Sequence, residues 1–335
     1  MKQHEIKSLH NVLDEKGRVI EAGFSRKEVL HYDKKQVKAS RFRLKEWDYY
    51  FVGNEAYGLA ITIADNNYMG LVGFVFLDFK NQKKYDYTKM LVTSRRHLNM
   101  PNEVFKGLIK YESKNLSLSY EYRDQLVLIK GQTKGFKNQE DCVIDLVLER
   151  QNQDHLGIVI PFKKKKAFYY NHKINHLKSK GRFIKGNQTY AFDDFYGVLD
   201  FGRGVWTYDN TWYWASASGL EDDKRIGFNL GYGFGITKSA TENMIFYDGL
   251  GYKINDVTFK ISDDYISSWQ VVSSDDSLYF DFYPIYDNHT KTDFVVLGQH
   301  AHQVFGIFKG YVRIEGKIIR VNHLFGFAEK VRNKW

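Results

Sequence analysis

The chain has 335 residues, more than one small core needs, so one large or two medium domains are expected. Hydrophobic residues make up 43% and aromatics 16%, enough to bury a sizeable core and too much for a disordered chain. The formal charge of +9 would suit an acidic partner, but the excess is scattered apart from the run Lys163 to Lys166. No recognition helix or metal-finger spacing accompanies it, so the charge is read as solubility and no nucleic-acid partner is expected.

A single cysteine, Cys142, excludes an internal disulfide and lies in a strand-like run, where a buried structural thiol is expected. The first residues lack the apolar core of a signal peptide, and no apolar run is long enough to span a bilayer. A cytoplasmic protein without a transmembrane segment is the expectation. No cofactor motif is visible.

In chain order, residues 1–40 are charged and mixed and read as an arm, with a short strand at 18–20. Runs at 47–52, 58–64 and 71–79 follow, separated by the turns Gly53-Asn54 and Asp65-Asn66-Asn67. Residues 116–122 alternate apolar and polar, and 125–129 answers them across Arg123-Asp124. A further strand is expected at 143–148. Pro161 and the four lysines mark a break. The run 167–176 leads to an expected turn at Lys180-Gly181, and 182–185 and 189–192 flank the hairpin signal Gly186-Asn187. Towards the end, strands are expected at 244–247, 257–261, 269–272, 278–283 (ending at Pro284), 294–297, 304–308, 311–314, 317–321 and 324–329. Long amphipathic helices are missing from the pattern, and strand runs recur at sandwich or barrel spacing. An all-β protein follows. Two antiparallel barrels of about 150 residues each would account for the length and remove free edges. We divide them as 41–190 and 191–335.

The stretch 197–242 concentrates large aromatics, glycines and isolated charges. It holds Trp206, Trp212 and Trp214, with Asp200 and Glu242 set among apolar or small residues. Asp200, between Leu199 and Phe201, could act as a general acid, or could instead form an ion pair with Arg203. Arg203, between two glycines, could reach an anionic ligand group bidentately. Trp212 and Trp214 share one strand face, so with Trp206 they could line a pocket or simply fill a core. Glu242 could be a second carboxylate beside Asp200, a pairing that would also suit glycoside hydrolysis. Asn229 and Asn243 are read as further ligand contacts. The run from Asn229 to Gly235 is not a phosphate loop, because no helix and no Lys-Ser/Thr follows it. His300 and His302 share a strand face and could hold a metal only if a third ligand such as His323 or Glu329 joined them. Metal binding is not expected.

Three segments carry a family resemblance: Gly-Val-Leu-Asp-Phe-Gly-Arg-Gly-Val-Trp (197–206), Trp-Tyr-Trp-Ala-Ser-Ala-Ser-Gly (212–219) and Thr-Glu-Asn-Met-Ile-Phe-Tyr-Asp-Gly (241–249). Trp-Asp-Tyr-Tyr (47–50), Ile-Ala-Asp-Asn-Asn-Tyr-Met-Gly (63–70), Gly-Phe-Ala-Glu (326–329) and Trp335 add to it. The chain resembles the domain of unknown function 2804 family. More remotely it is similar to tandem lipocalin-like proteins such as carotenoid 1,2-hydratases, tocopherol cyclases and survival-factor proteins. The resemblance implies two lipocalin-like (calycin) barrels and an apolar, isoprenoid or fatty ligand. Gly202-Arg203-Gly204 stands where the hydratase-type pattern has Trp-Gly.

The first functional expectation is binding of an apolar or amphiphilic, lipid-like molecule among Trp206, Trp212 and Trp214, with Asp200 and Arg203 as its polar groups. The alternatives are acid-catalysed hydration, cyclisation or isomerisation with Asp200 as proton donor, and carbohydrate binding or turnover on the aromatic faces.

Overall fold

The computed structural model describes residues 3–92, 98–293 and 298–334. The strand expected at 294–297 and the motif residue Trp335 lie outside the described residues. The protein is all-β, built from two large antiparallel sheets, each curled in the manner of a lipocalin barrel. In both, the ladder runs as an open path among the described residues.

The main path of the first sheet starts with the meander Leu44–Gly53, Tyr57–Asp65 and Met69–Asp78. Leu44–Gly53 then pairs with Tyr196–Val205, which pairs with Phe168–Lys185. Cys142–Glu149, Leu126–Thr133 and Leu116–Arg123 continue the sheet. The local turns form as the sequence dictates: Asn67 and Asp124 take positive φ at their hairpins, and Lys185 pairs with Gln188 across Gly186-Asn187.

In the second sheet, Asp209–Glu221 lies between Lys224–Tyr232 and Lys317–Lys334. Gly298–Ile314 and Leu278–Asp293 follow on the latter side. Tyr196–Val205 belongs to the first sheet, so the sheets change between Val205 and Asp209, whereas the sequence division falls at 190/191.

Several breaks expected from sequence are absorbed into longer strands. Gly181 is no turn: it lies inside Phe168–Lys185 at φ +124, and a Cβ there would come within 2.1 Å of the Asp145 carbonyl oxygen of the neighbouring strand. Pro284 does not end its strand. It sits at a register shift of Leu278–Asp293, where the missing N–H is tolerated. The runs 304–308 and 311–314 are one strand, as are 317–321 and 324–329. The strand expected at 18–20 is only a single bridge from Leu13 to Val19.

The arm is a clip across both sheets. Gly23–Ser25 pairs with Leu156–Pro161 of the first sheet, while the Gln3 side chain bonds Thr241 and Ile254 beside the second. Cys142 is buried, as expected, and burial raises its thiol pKa.

Each curled sheet encloses its own apolar core, for example Tyr50, Phe74 and Ile129 in the first and Phe228, Phe280 and Phe308 in the second. A third cluster fills the seam between the sheets, with Phe51, Phe79 and Val198 from one side and Trp214, Phe305 and Phe327 from the other.

Candidate functional site

Strand alternation sorts the central charges onto two faces. On Tyr196–Val205, Asp200 faces the seam, and Arg203, three positions on, faces the interior of the first sheet. On Leu44–Gly53, Trp47, Tyr49 and Phe51 face the seam, and Glu46, Asp48 and Tyr50 face inwards. The ion pair considered between Asp200 and Arg203 is therefore not formed. Arg203 is fully buried, with its Nη1 2.8 Å from Asp48 Oδ1, and also donates to the carbonyls of Trp47 and Pro101. Tyr122 donates to Asp48 at 2.9 Å and Tyr50 to Tyr122 at 3.0 Å. Glu46 is held by Lys34 and Tyr32. Arg203 is a closed structural pair and not part of the tryptophan site.

The seam holds a cavity of about 540 Å³. Trp206, Trp212 and Trp214 line it, with Trp47, Phe234 and Leu71. Gly202 makes room for this wall: a Cβ there would lie 2.1 Å from the Trp47 ring.

Two cross-strand rows form the polar floor. In the first sheet, register aligns Lys173, Asp200 and Tyr49 on adjacent strands. In the second, it aligns Trp214, Glu329 and Gln303. The rows face each other: Lys173 Nζ lies 3.8 Å from the Trp214 ring centroid, and Gln303 donates to the Tyr49 hydroxyl at 3.0 Å. Asp200 accepts from Lys173 at 3.0 Å and from the Asn171 amide at 2.5 Å. Glu329 accepts from Trp212 Nε1 at 3.0 Å and from Gln303 at 3.3 Å.

Burial pushes the Glu329 carboxyl up to about 7, against the Trp212 N–H and the Lys173 ammonium, which favour the anion. Glu242 lies just behind the lining. Burial pushes it too up to about 7, against Lys173 and the Tyr169 hydroxyl. Neither Glu242 oxygen nor the Tyr169 hydroxyl has a hydrogen bond of good geometry. Burial lowers the Lys253 ammonium, which acts on Glu242, to about 7. Around the floor, protons can therefore be held or released near neutral pH.

Asn229 and Asn243 support this arrangement without lining the cavity. Asn229 accepts from Trp214 Nε1 at 2.6 Å and donates to the Glu242 carbonyl at 2.7 Å. Asn243 accepts from the Gly231 N–H and donates to the Asn255 carbonyl. His300 pairs with Asp293, and His302 pairs with Asp287 and stacks on Tyr265. His323 pairs with Glu55, and among the described residues no group of three or more potential ligands could hold a metal.

Sequence reasoning missed Lys173, Tyr49 and Gln303 altogether and met Glu329 only as a possible metal ligand. Tyr49 and Glu329 do fall within the segments that carried the family resemblance, and that was the available signal.

The solved structures that resemble this one are distant in sequence. A protein assigned as an AttH from Nitrosomonas europaea has TM-score 0.55 and 11% identity, over 88% of this chain and 93% of that one. CghA with Sch210972 has TM-score 0.50 and 8% identity, over 87% and 88%. Kievitone hydratase from Nectria haematococca has TM-score 0.46 and 10% identity, over 87% and 88%. At these identities the first two show the fold alone. None of the curated proteins matches the sequence. The model of the family Domain of unknown function (DUF2804) matches residues 3–335, and the chain belongs to that family.

Proposed function

We propose that this DUF2804 chain binds an amphiphilic, lipid-like small molecule in the seam between its two sheets. One observation carries the reading: a cavity of about 540 Å³ lined mainly by aromatic and aliphatic side chains, with Lys173, Asp200, Tyr49, Glu329 and Gln303 clustered on one floor. An apolar body would lie against Trp47, Trp206 and Leu71. A hydroxyl or carbonyl group would reach Lys173, Asp200 and Glu329, which offer both donors and acceptors. A sugar would leave most of its hydroxyls facing apolar walls without partners, so the geometry favours a lipid over a carbohydrate. No helix among the described residues is long and apolar enough to cross a membrane. We take the chain to act in the cytoplasm, as the sequence expects.

Titration with the uncharged, environment-sensitive dye Nile red tests the site. Saturable binding to the parent and a loss of at least about tenfold in Leu71→Trp, which fills the cavity, are expected. Equal binding by both proteins would place the dye elsewhere.

A second reading is acid catalysis on the same ligand: hydration, cyclisation or isomerisation. The carboxyl of Glu329, held near its protonation midpoint at neutral pH beside the cavity, favours it. Asp200, the donor expected from sequence, accepts from both an ammonium and an amide, contacts suited to a carboxylate. The donor role therefore fits Glu329, with Asp200 as the accepting base. Glu329→Gln should spare binding and abolish turnover. A variant that keeps the full rate would end the acid-catalysis reading.

A further inference from the structure

The mouth of the seam cavity has a surface chemistry of its own. Tyr68 and Met69 line it, and the Lys89–Val92 strand runs alongside, with Val92 opposite Met69 and Met90 opposite Leu71. The Phe42 ring packs on Tyr68 at 6.5 Å. Several apolar side chains here are largely in solvent: Val92 is 85% exposed, Phe42 61%, Met90 56% and Tyr208 54%. Scattered exposed apolar residues need no explanation, but Met90 and Val92 line this one opening, and Phe42 packs on Tyr68 beside it.

Basic residues ring the same place. Arg41 and Arg43 flank Phe42, and Arg43 Nε donates to the Trp206 carbonyl at 2.9 Å. Phe162 packs on Trp206 at 5.6 Å and leads directly into Lys163 to Lys166, of which the first three are exposed. Lys166 reaches the Lys38 carbonyl, which places that run beside the 38–43 segment. Lys334 lines the opening. The carboxylate next to Tyr208, Asp209, is engaged by Arg332. A group of basic side chains that includes the one lysine run of the chain thus lies beside the apolar rim.

We infer that this rim docks on an anionic lipid surface, with Phe42, Met90 and Val92 entering the headgroup region and the basic collar meeting the lipid phosphates and carboxylates. Aliphatic tips such as Val92 and Met90 gain from leaving water for the acyl boundary. The collar gains from the negative surface potential, which falls off within a Debye length. Nucleic acid would satisfy the collar and leave the aliphatic rim in water. The two signals together suffice for reversible surface binding. The inference rests on the seam reading only in giving the docked protein a cargo: the opening faces the surface that would supply its ligand.

Sedimentation of the full chain with vesicles of phosphatidylcholine, with and without phosphatidylserine, tests it. Binding is expected only with phosphatidylserine, and it should weaken as salt rises. Phe42→Ser/Val92→Ser should weaken it by at least about tenfold. Lys163→Gln/Lys164→Gln/Lys165→Gln should lower it by about fivefold per charge. Both variants alter exposed side chains, so near-ultraviolet circular dichroism should match the parent. No binding to anionic vesicles would overturn the inference. So would rim variants that bind like the parent, or tighter binding to a DNA duplex than to the vesicles. Vesicle binding with no Nile red uptake would sink the pocket reading alone, and the reverse result would sink the docking alone.

Discussion

One strand supplies two buried polar regions, and they are built to opposite rules. Tyr196–Val205 sends Arg203 into the interior of the first sheet and Asp200 into the seam. In the interior, Asp48 and Glu46 each have a cation against them, although burial raises Asp48 as well. Arg203 meets Asp48, Tyr122 and Tyr50 extend that contact, and Lys34 and Tyr32 hold Glu46. In the seam, Lys173 acts on three carboxyls, Asp200, Glu242 and Glu329, and burial raises two of them to about 7. A matched buried pair is architecture. A cluster with more carboxyls than close cations, beside a cavity, has hydrogen-bonding and protonation capacity left for a ligand. Burial is the same in both regions, and the stoichiometry of partners tells them apart.

The comparison breaks most directly in the interior. Arg203→Met leaves Asp48 and Glu46 without their guanidinium and should destabilise the fold by about 3–5 kcal/mol in urea unfolding. A loss under about 1 kcal/mol would mean that the interior pair is not structural.

In the seam, Lys173→Met should cost less, about 2–3 kcal/mol at pH 8, because the carboxyls can answer by taking up protons. The loss should shrink towards pH 6, and infrared spectra should show more protonated carboxyl at pH 7 than in the parent. A loss equal at both pH values would contradict the proton-buffering account.

Glu329→Gln sharpens the contrast in the other direction. A carboxyl whose folded pKa is about 7, raised from 4.5, contributes stability that is present below about 4.5 and is lost as pH rises through about 7. Gln keeps the acceptor for Trp212 and carries no charge to bury. The variant should therefore gain on the order of 1–2 kcal/mol over the parent at pH 8, and the gain should vanish near pH 4. The smallest effect belongs to Trp212→Phe. It removes one N–H donor, should cost under about 1 kcal/mol beyond the lost ring contact area, and should move the Glu329 titration upwards.

The fold was largely legible because its signals are local. The Asp65-Asn66-Asn67 and Gly186-Asn187 turns, the alternation at 116–122 and the shortage of helical periodicity each act within a few residues. Length was less legible. Gly181 and Pro284 read as breaks, yet one admits a neighbouring carbonyl and the other sits at a register shift. At the site, clustering of rare residues pointed to Trp206, Trp212, Trp214 and Asp200, which lie together along the seam cavity. The side of Arg203 was also readable, since positions three apart on a strand face oppositely, but the tempting acid–base neighbour obscured it. Lys173, Tyr49, Glu329 and Gln303 were not readable as a group. Their proximity is set by register among strands far apart in the chain and by the packing of one sheet on the other.

Native mass spectrometry of the purified chain, repeated after incubation with a cell lipid extract, tests the central claim that the seam is a binding site. The account predicts an adduct of small-molecule mass that denaturation releases and that Leu71→Trp does not carry. A parent protein that stays at the mass of the bare chain under both conditions would contradict it, and would leave the seam carboxyls as a feature of the fold alone.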